Sequence, residues 1–215
     1  MSQSATQKYA LFDTAIGRCC IVWNEIGVLA VRLPFASDDK MRAHLRNKFG
    51  DLDEAAPPPR IRVAIDGIAS LLNGEAVDLS GIDLDTARVP DFDRRVYEIA
   101  RGIPPGSTLT YGDIAKRLGG LEFARDVGQA LGHNPFAIVV PCHRVLAAGG
   151  KPGGFSAPGG RSTKLRMLAI ENAYVNHTPS LFDISERQGP RQPKRDVEPG
   201  LNNGRRPAKQ TRQAG

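Results

Sequence analysis

The sequence predicts an α/β chain of the α+β kind: a small N-terminal β-meander/α domain, then a mainly helical C-terminal domain. Three observations carry this. Short apolar segments separated by turn residues crowd the stretch 9–33, as in consecutive hairpin strands. Beyond residue 92 the apolar residues recur at three- and four-residue spacing instead, the period of a helix face. The chain has 215 residues, 40% of them hydrophobic, which is enough for one or two packed cores.

Residues 9–13, 18–23 and 27–33 read as three strands, punctuated by Gly17 and by the turn from Asn24 to Gly27. Residues 38–49 read as a helix with Asp38 as its cap and Met41, Leu45 and Phe49 on one side. Pro57-Pro58-Pro59 is a rigid break, after which 61–72 returns to helical spacing and stops at Asn73-Gly74. The segment 75–90 reads as an extended linker. In the second half, Val96, Ile99 and Ala100 mark a helix ending before Pro104-Pro105-Gly106. Thr110 can cap a helix over 111–118, which Gly119-Gly120 ends. A further helix over 122–131 puts Phe123, Val127, Ala130 and Leu131 inward. Two short helices joined by a glycine turn make a helix-turn-helix. Ser162 is placed to cap a last helix over 163–172 carrying Leu165, Leu168 and Ala169. The domains expected are 1–88 with its linker, 89–176, and a tail from 177 to 215.

That tail is rich in Pro, Gly, Gln, Asn and Arg, with few large apolar residues, and is expected to be disordered. Residues 183–215 hold eight Lys/Arg against four Asp/Glu, within a chain of net charge +6. A sequence-independent contact to phosphates is one role such a segment can play, and solubilisation is another. No apolar stretch reaches the roughly 20 residues that span a bilayer, and no secretory pattern opens the chain, so no membrane partner is expected. Three cysteines cannot build a disulfide framework. Cys19 and Cys20 are adjacent, so a strand places them on opposite faces. No zinc-ligand spacing occurs, and neither metal nor cofactor is expected. A thiol kept reduced suits a cytoplasmic location.

The chemistry concentrates at Ile138-Val139-Val140-Pro141-Cys142-His143-Arg144-Val145. A cysteine sits beside a histidine, after β-branched residues that should be buried and stiff. A thiol is strongly nucleophilic only as the thiolate, and an imidazole is the usual acceptor of its proton. By themselves these residues also fit a small buried hydrophobe next to an ordinary histidine.

The flanking sequence separates the two. Upstream lie Tyr111-Gly112-Asp113-Ile114-Ala115, the helix bearing Arg125, Gly128 and Gln129, and Gly132-His133-Asn134-Pro135; downstream runs the glycine-rich stretch from Gly149 to Gly160 through Phe155 and Ser156. This order and spacing resemble the O6-alkylguanine-DNA alkyltransferases, or methylated-DNA–protein-cysteine methyltransferases. The likeness is close over residues 104–171 and looser back to about residue 9.

The resemblance implies a winged helix-turn-helix-like DNA-binding element and a single-turnover enzyme acting on double-stranded DNA that contains O6-alkylguanine, and secondarily O4-alkylthymine. It makes Cys142 the acceptor of the alkyl group, His143 the base that draws its proton through a bridging water, and Glu171 the group that orients His143. It gives Tyr111 a double role, crowding a phosphate to favour flipping and donating to the flipped base. It assigns DNA contacts to Arg125, Gly128 and Gln129, with Arg125 filling the gap in the base stack. Substrate contacts fall to Phe155, the Ser156 N–H and the carbonyls of Cys142 and Val145, while Asn134 braces the turn before Cys142.

A monomer is expected, since nothing in the reaction calls for a second copy. Other readings stay open at this point: a non-enzymatic alkyltransferase-like lesion sensor, which Cys142 argues against; a helix-turn-helix regulator; and a thiol protease. Two departures from the family pattern are visible, Ala137 where a proline is common and Ala157 where glycine is common. They lead to the expectation that a bulky O6 substituent such as benzyl is received poorly, by overpacking at Ala157.

Overall fold

A computed structural model describes residues 7–173; the tail from 177 to 215 lies outside these described residues. Three strands, β1 (Lys8–Thr14), β2 (Gly17–Trp23) and β3 (Val28–Arg32), form the antiparallel meander. A two-residue strand, β4 (Asp53–Glu54), adds parallel to β1, giving the order β3-β2-β1-β4. No local pattern marks β4, because two charged, exposed residues carry no strand signal. Both faces of the sheet are covered. Cys19, Ile21 and Trp23 point into the main core, while Cys20, Val22 and Ala30 pack under α1 (Asp38–Phe49) through Met41 and Leu45. The adjacent cysteines therefore do lie on opposite faces, and burial raises both thiols to about 12.

Ser37, not Asp38, caps α1: its hydroxyl accepts from the Lys40 N–H at 3.3 Å. Asp38 is the first helical residue and takes Arg18 at 2.9 Å instead. Helix α2 (Pro59–Leu72) begins within the triple proline, because a proline in the first turn has no N–H to leave unpaired. The segment after it is more than a linker. Leu79 is buried, and Val28 and Asp83–Asp85 exchange backbone hydrogen bonds along the edge of β3. Further along that edge the Val31 N–H donates to the Pro135 carbonyl at 2.9 Å. The sheet thus holds the loop that leads to Cys142.

The second half is built from α3 (Asp91–Arg101), α4 (Tyr111–Leu118), α5 (Ala124–Gly132) and α6 (Gly160–Ile170). Thr110 closes a capping box with Asp113 at the start of α4. Gly119, at a φ of 126° that disfavours any side chain, ends it, and a 3-10 turn at Leu121–Phe123 leads into α5. Tyr97 on α3 donates its hydroxyl to the Ala130 carbonyl at 2.9 Å and fixes α5 against the core. A two-stranded parallel pair, β5 (Leu109–Thr110) with β6 (Val145–Leu146), joins the start of α4 to the chain just past Cys142.

The run Ile138–Val140 is buried, as expected, and takes the form of a loop with Ile138 at a φ of 75°. Left-handed backbone is costly for a β-branched residue, and the fully packed side chain together with the Asn134 brace holds it. Helix α6 starts at Gly160, and its inward face is Lys164, Met167 and Leu168, with Leu165 and Ala169 exposed. The periodicity could not favour a lysine over Leu165 for the interior. Ser162 caps nothing; its hydroxyl donates to the Gly159 carbonyl at 2.7 Å.

Candidate active site

Cys142 opens a single 3-10 turn, Cys142–Arg144, between the buried Ile138–Val140 loop and β6. Asn134 anchors this loop from both ends. Its amide donates to the Val140 carbonyl at 2.9 Å, and its side-chain oxygen accepts from the Phe136 N–H at 2.9 Å. The Cys142 N–H donates to Val140 and the Arg144 N–H to Pro141, both at 2.8 Å. Cys142 is thereby held by a bonded backbone while the residue keeps partial access to solvent.

Behind it lies a buried ionic cluster. His143 Nε2 donates to Glu171 Oε1 at 2.8 Å. Arg144 grips the same carboxylate with Nε at 2.7 Å and Nη2 at 2.9 Å, and its Nη1 donates to the Ile103 carbonyl at 2.5 Å. Burial alone would raise the Glu171 pKa; the bonds from His143 and Arg144 outweigh it and hold it at about 2. Burial lowers the His143 pKa, with Arg144 and Lys164 adding to that and Glu171 opposing it. The imidazole is therefore neutral, with its proton on Nε2. Nδ1 has no partner among the described residues and carries the free lone pair.

The buried ammonium of Lys164 donates to the Val145 carbonyl at 2.6 Å and lies 5.9 Å from the Tyr111 ring centre and 6.0 Å from that of Phe155. Burial brings the Lys164 pKa down to about 8, against the opposing pull of Cys142. Burial also raises the Cys142 thiol, while the Asn134 side chain, Lys164 and the N–H groups of Cys142 and His143 favour its thiolate. Tyr111, on the first turn of α4, has its phenol raised by burial and then by Cys142.

Two cavities meet at the thiol. One, of about 350 Å³, runs towards Tyr111 and Gly128; the other, of about 590 Å³, runs towards the N-terminal sheet and α1. Leu131, Gly132, Cys142, Phe155 and Ser156 line both. A rigid thiol, an oriented neutral base and a cavity for a planar ligand can together perform nucleophilic group transfer.

Residues 91–173 match the family model described as 6-O-methylguanine DNA methyltransferase, DNA binding domain. A methylated-DNA–protein-cysteine methyltransferase of Methanothermobacter thermautotrophicus is 36% identical over 151 residues, covering 70% of this chain and 77% of that protein. One from Mycolicibacterium paratuberculosis is 42% identical over 120 residues, 56% of this chain and 70% of its own. The chain belongs to the methylated-DNA–protein-cysteine methyltransferase family. Solved structures agree. The Mycobacterium tuberculosis O6-methylguanine methyltransferase superposes with a TM-score of 0.63 at 30% identity, covering 84% of this chain and all of the other. The M. tuberculosis protein in complex with DNA gives 0.61 at 34% identity, over 77% and 92%.

For a member of this family, the fold gathers most of the residues singled out in the sequence. Cys142, His143, Glu171, Asn134, Tyr111, Phe155 and Ser156 surround the thiol or support it. Arg125, Gly128 and Gln129 share the outward face of α5, opposite Val127, Ala130 and Leu131. Gly128 faces the Tyr111 ring, which a Cβ there would meet at 4.0 Å, an ordinary contact distance. The Val145 carbonyl already accepts from Lys164, leaving one lone pair for a ligand. The Ser156 hydroxyl is turned away to the Gly132 carbonyl at 2.8 Å.

Two residues of the site had no role in the sequence reading. Arg144 appears there only as part of a motif, and Lys164 does not appear. The signal for Lys164 was its position three and four residues before Met167 and Leu168, on the apolar stripe.

Proposed function

We propose that this protein repairs DNA by direct reversal, moving the alkyl group of O6-alkylguanine, and secondarily of O4-alkylthymine, onto Cys142 in a single turnover. The observation that carries this is the partly buried Cys142 thiol on a braced turn, backed by a neutral His143 oriented by Glu171.

The lesion lies inside the duplex, so the nucleotide must be extruded. Arg125 is exposed on the first turn of α5 and is long enough to occupy the vacated place in the stack, as side chains do in kinked minor-groove complexes. Leu121, beside it in the preceding turn, is exposed as well. The flipped base enters the cavity between Tyr111, Gly128 and Phe155.

Sulfur attacks the alkyl carbon in line. The S–C bond forms, the C–O6 bond breaks, and the bonding pair leaves on guanine. The thiol proton passes to the free Nδ1 of His143, through a water as the resemblance implies, and His143⁺ is stabilised by Glu171. Negative charge on the departing base is met by the Tyr111 hydroxyl, which returns a proton, and by the Ser156 N–H. The product is a thioether, which disulfide reductants do not cleave, so the protein is consumed.

The protein acts as a monomer in this reading, and a reducing cytoplasm suits its thiol. No helix among the described residues is long and apolar enough to cross a membrane. Residues 1–88 form the supporting domain and 89–176 the DNA-binding and catalytic one. That division is supported by the family match beginning at residue 91 and by every reacting group lying beyond it.

Arg125→Ala is expected to slow repair in duplex DNA by about tenfold or more, from the few kcal/mol that extrusion costs. Its reaction with free O6-benzylguanine, which needs no flipping, should be little changed. Single-turnover rates with both substrates check this, and equal losses would place Arg125 in the pocket or the fold.

A further inference from the structure

The larger cavity at Cys142 extends well beyond the thiol. It runs past Ala137, Phe155 and Ala157 to Arg32, His44 and Lys48 of the N-terminal domain. A volume of about 590 Å³ lies within the range of small-ligand sites. Ala137 and Ala157, the two departures from the family pattern, both line this groove.

The far end of the groove is cationic. Arg32 leaves the end of β3 on the α1 side, its guanidinium 5.9 Å from the Phe49 ring centre, with Nη1 donating to the Pro135 carbonyl at 3.2 Å. Its Nε is buried and has no partner among the described residues. His44 stacks against Phe35 at 4.9 Å between ring centres. Burial lowers the His44 pKa, and Arg32 and Lys48 lower it further, which favours the neutral imidazole. Arg32 is also depressed by burial, with only Cys20 opposing. None of the three has a carboxylate partner among the described residues. Two cations, Arg32 and Lys48, and a hydrogen-bonding imidazole line the end of the cavity without a carboxylate partner among the described residues, and together form a site for an anion.

We propose that this groove is a subsite for the O6 substituent itself, and that Arg32, His44 and Lys48 make the protein favour substituents that end in a carboxylate. This rests on the transfer reading above. The bonds are those of methyl transfer: the O6–carbon bond breaks, the whole substituent passes to Sγ, and guanine leaves with the proton. The anion is assigned to the substituent, and not to a DNA phosphate, because the cavity starts at the reacting sulfur. It also diverges there from the one leading to Tyr111 and α5.

The test measures rates of Cys142 modification in the full chain by three free bases: O6-benzylguanine and its 4-carboxy and 4-aminomethyl derivatives. Wild type should react about tenfold faster with the carboxylate than with the ammonium, the scale of one close charge contact in partial solvent. In the His44→Gln/Lys48→Gln double variant that ratio should fall to about threefold or less, Arg32 remaining. A ratio cancels any general loss of folding or thiol reactivity.

A wild-type ratio near one, or a ratio unchanged in the variant, would overturn the proposal. So would failure of all three bases to react with a protein that still accepts methyl from duplex O6-methylguanine. If the variant loses affinity for unmodified duplex and keeps the ratio, the cluster is a phosphate contact and the proposal falls. No alkyl uptake from any substrate, methylated duplex included, would instead remove the transfer reading beneath it.

Discussion

Cys142→Ser is expected to lose alkyl transfer to below detection while still binding a duplex that carries O6-methylguanine. A serine hydroxyl remains protonated where a thiol can ionise, and the His143–Glu171 pair is tuned to accept a proton, not to create an alkoxide. Binding should persist because the outward face of α5 and the Tyr111 cavity are untouched. The substitution is nearly isosteric, and a serine hydroxyl can keep the contact with the Asn134 side chain. The other two thiols cannot substitute for Cys142: Cys19 and Cys20 are fully buried in the sheet and raised to about 12. Gel-shift affinity and protein mass after incubation measure the two properties separately. Alkyl uptake by the variant would contradict the single-nucleophile account.

Glu171→Gln is expected to slow transfer by about a hundredfold or more and to destabilise the fold by about 3 kcal/mol or more. The carboxylate accepts three bonds, one from His143 and two from Arg144. The amide would turn an NH₂ towards one of these donors and leave a buried guanidinium without its counter-charge. His143 would also lose the acceptor that holds its proton on Nε2 and stabilises the imidazolium formed during transfer.

The stability effect has a pH signature. Glu171 has a folded pKa of about 2, below its ordinary value of 4.5, so its contribution is fully present above about 4.5 and fades as the pH falls towards 2. The gap between wild type and variant in thermal or denaturant unfolding should be widest near neutrality and close on acidification. A gap independent of pH, or wild-type transfer rates in the variant, would show that Glu171 is not the charged partner of His143 and Arg144.

The elements legible in the sequence were those with strong local signals. The three-strand meander, the Thr110 cap, the Gly119 stop and the triple proline each depend on a few neighbouring residues, and these positions matched within a residue or two. Cys142 and His143 were legible because their motif is contiguous. Features made by distant residues were not. β4 exists because Asp53 and Glu54 find the free edge of β1, and β5–β6 because residue 109 meets residue 145. Lys164 reads as a surface lysine until the Val145 carbonyl and two aromatic rings come from elsewhere in the chain to receive it. The extended groove was hidden for the same reason: Arg32, His44 and Lys48 lie roughly a hundred positions from Cys142 in a segment whose own pattern speaks only of a helix packed on a sheet.

The central claim, that Cys142 itself takes the alkyl group from damaged DNA, is tested most directly by intact-protein and peptide mass after incubation of the full chain with duplex O6-methylguanine. The account predicts one methyl per protein molecule, confined to the peptide containing Cys142, with an equal amount of unmodified guanine restored in the DNA and no second turnover. Tight binding of the lesion with unchanged protein mass, or a methyl found on any other residue, would contradict it.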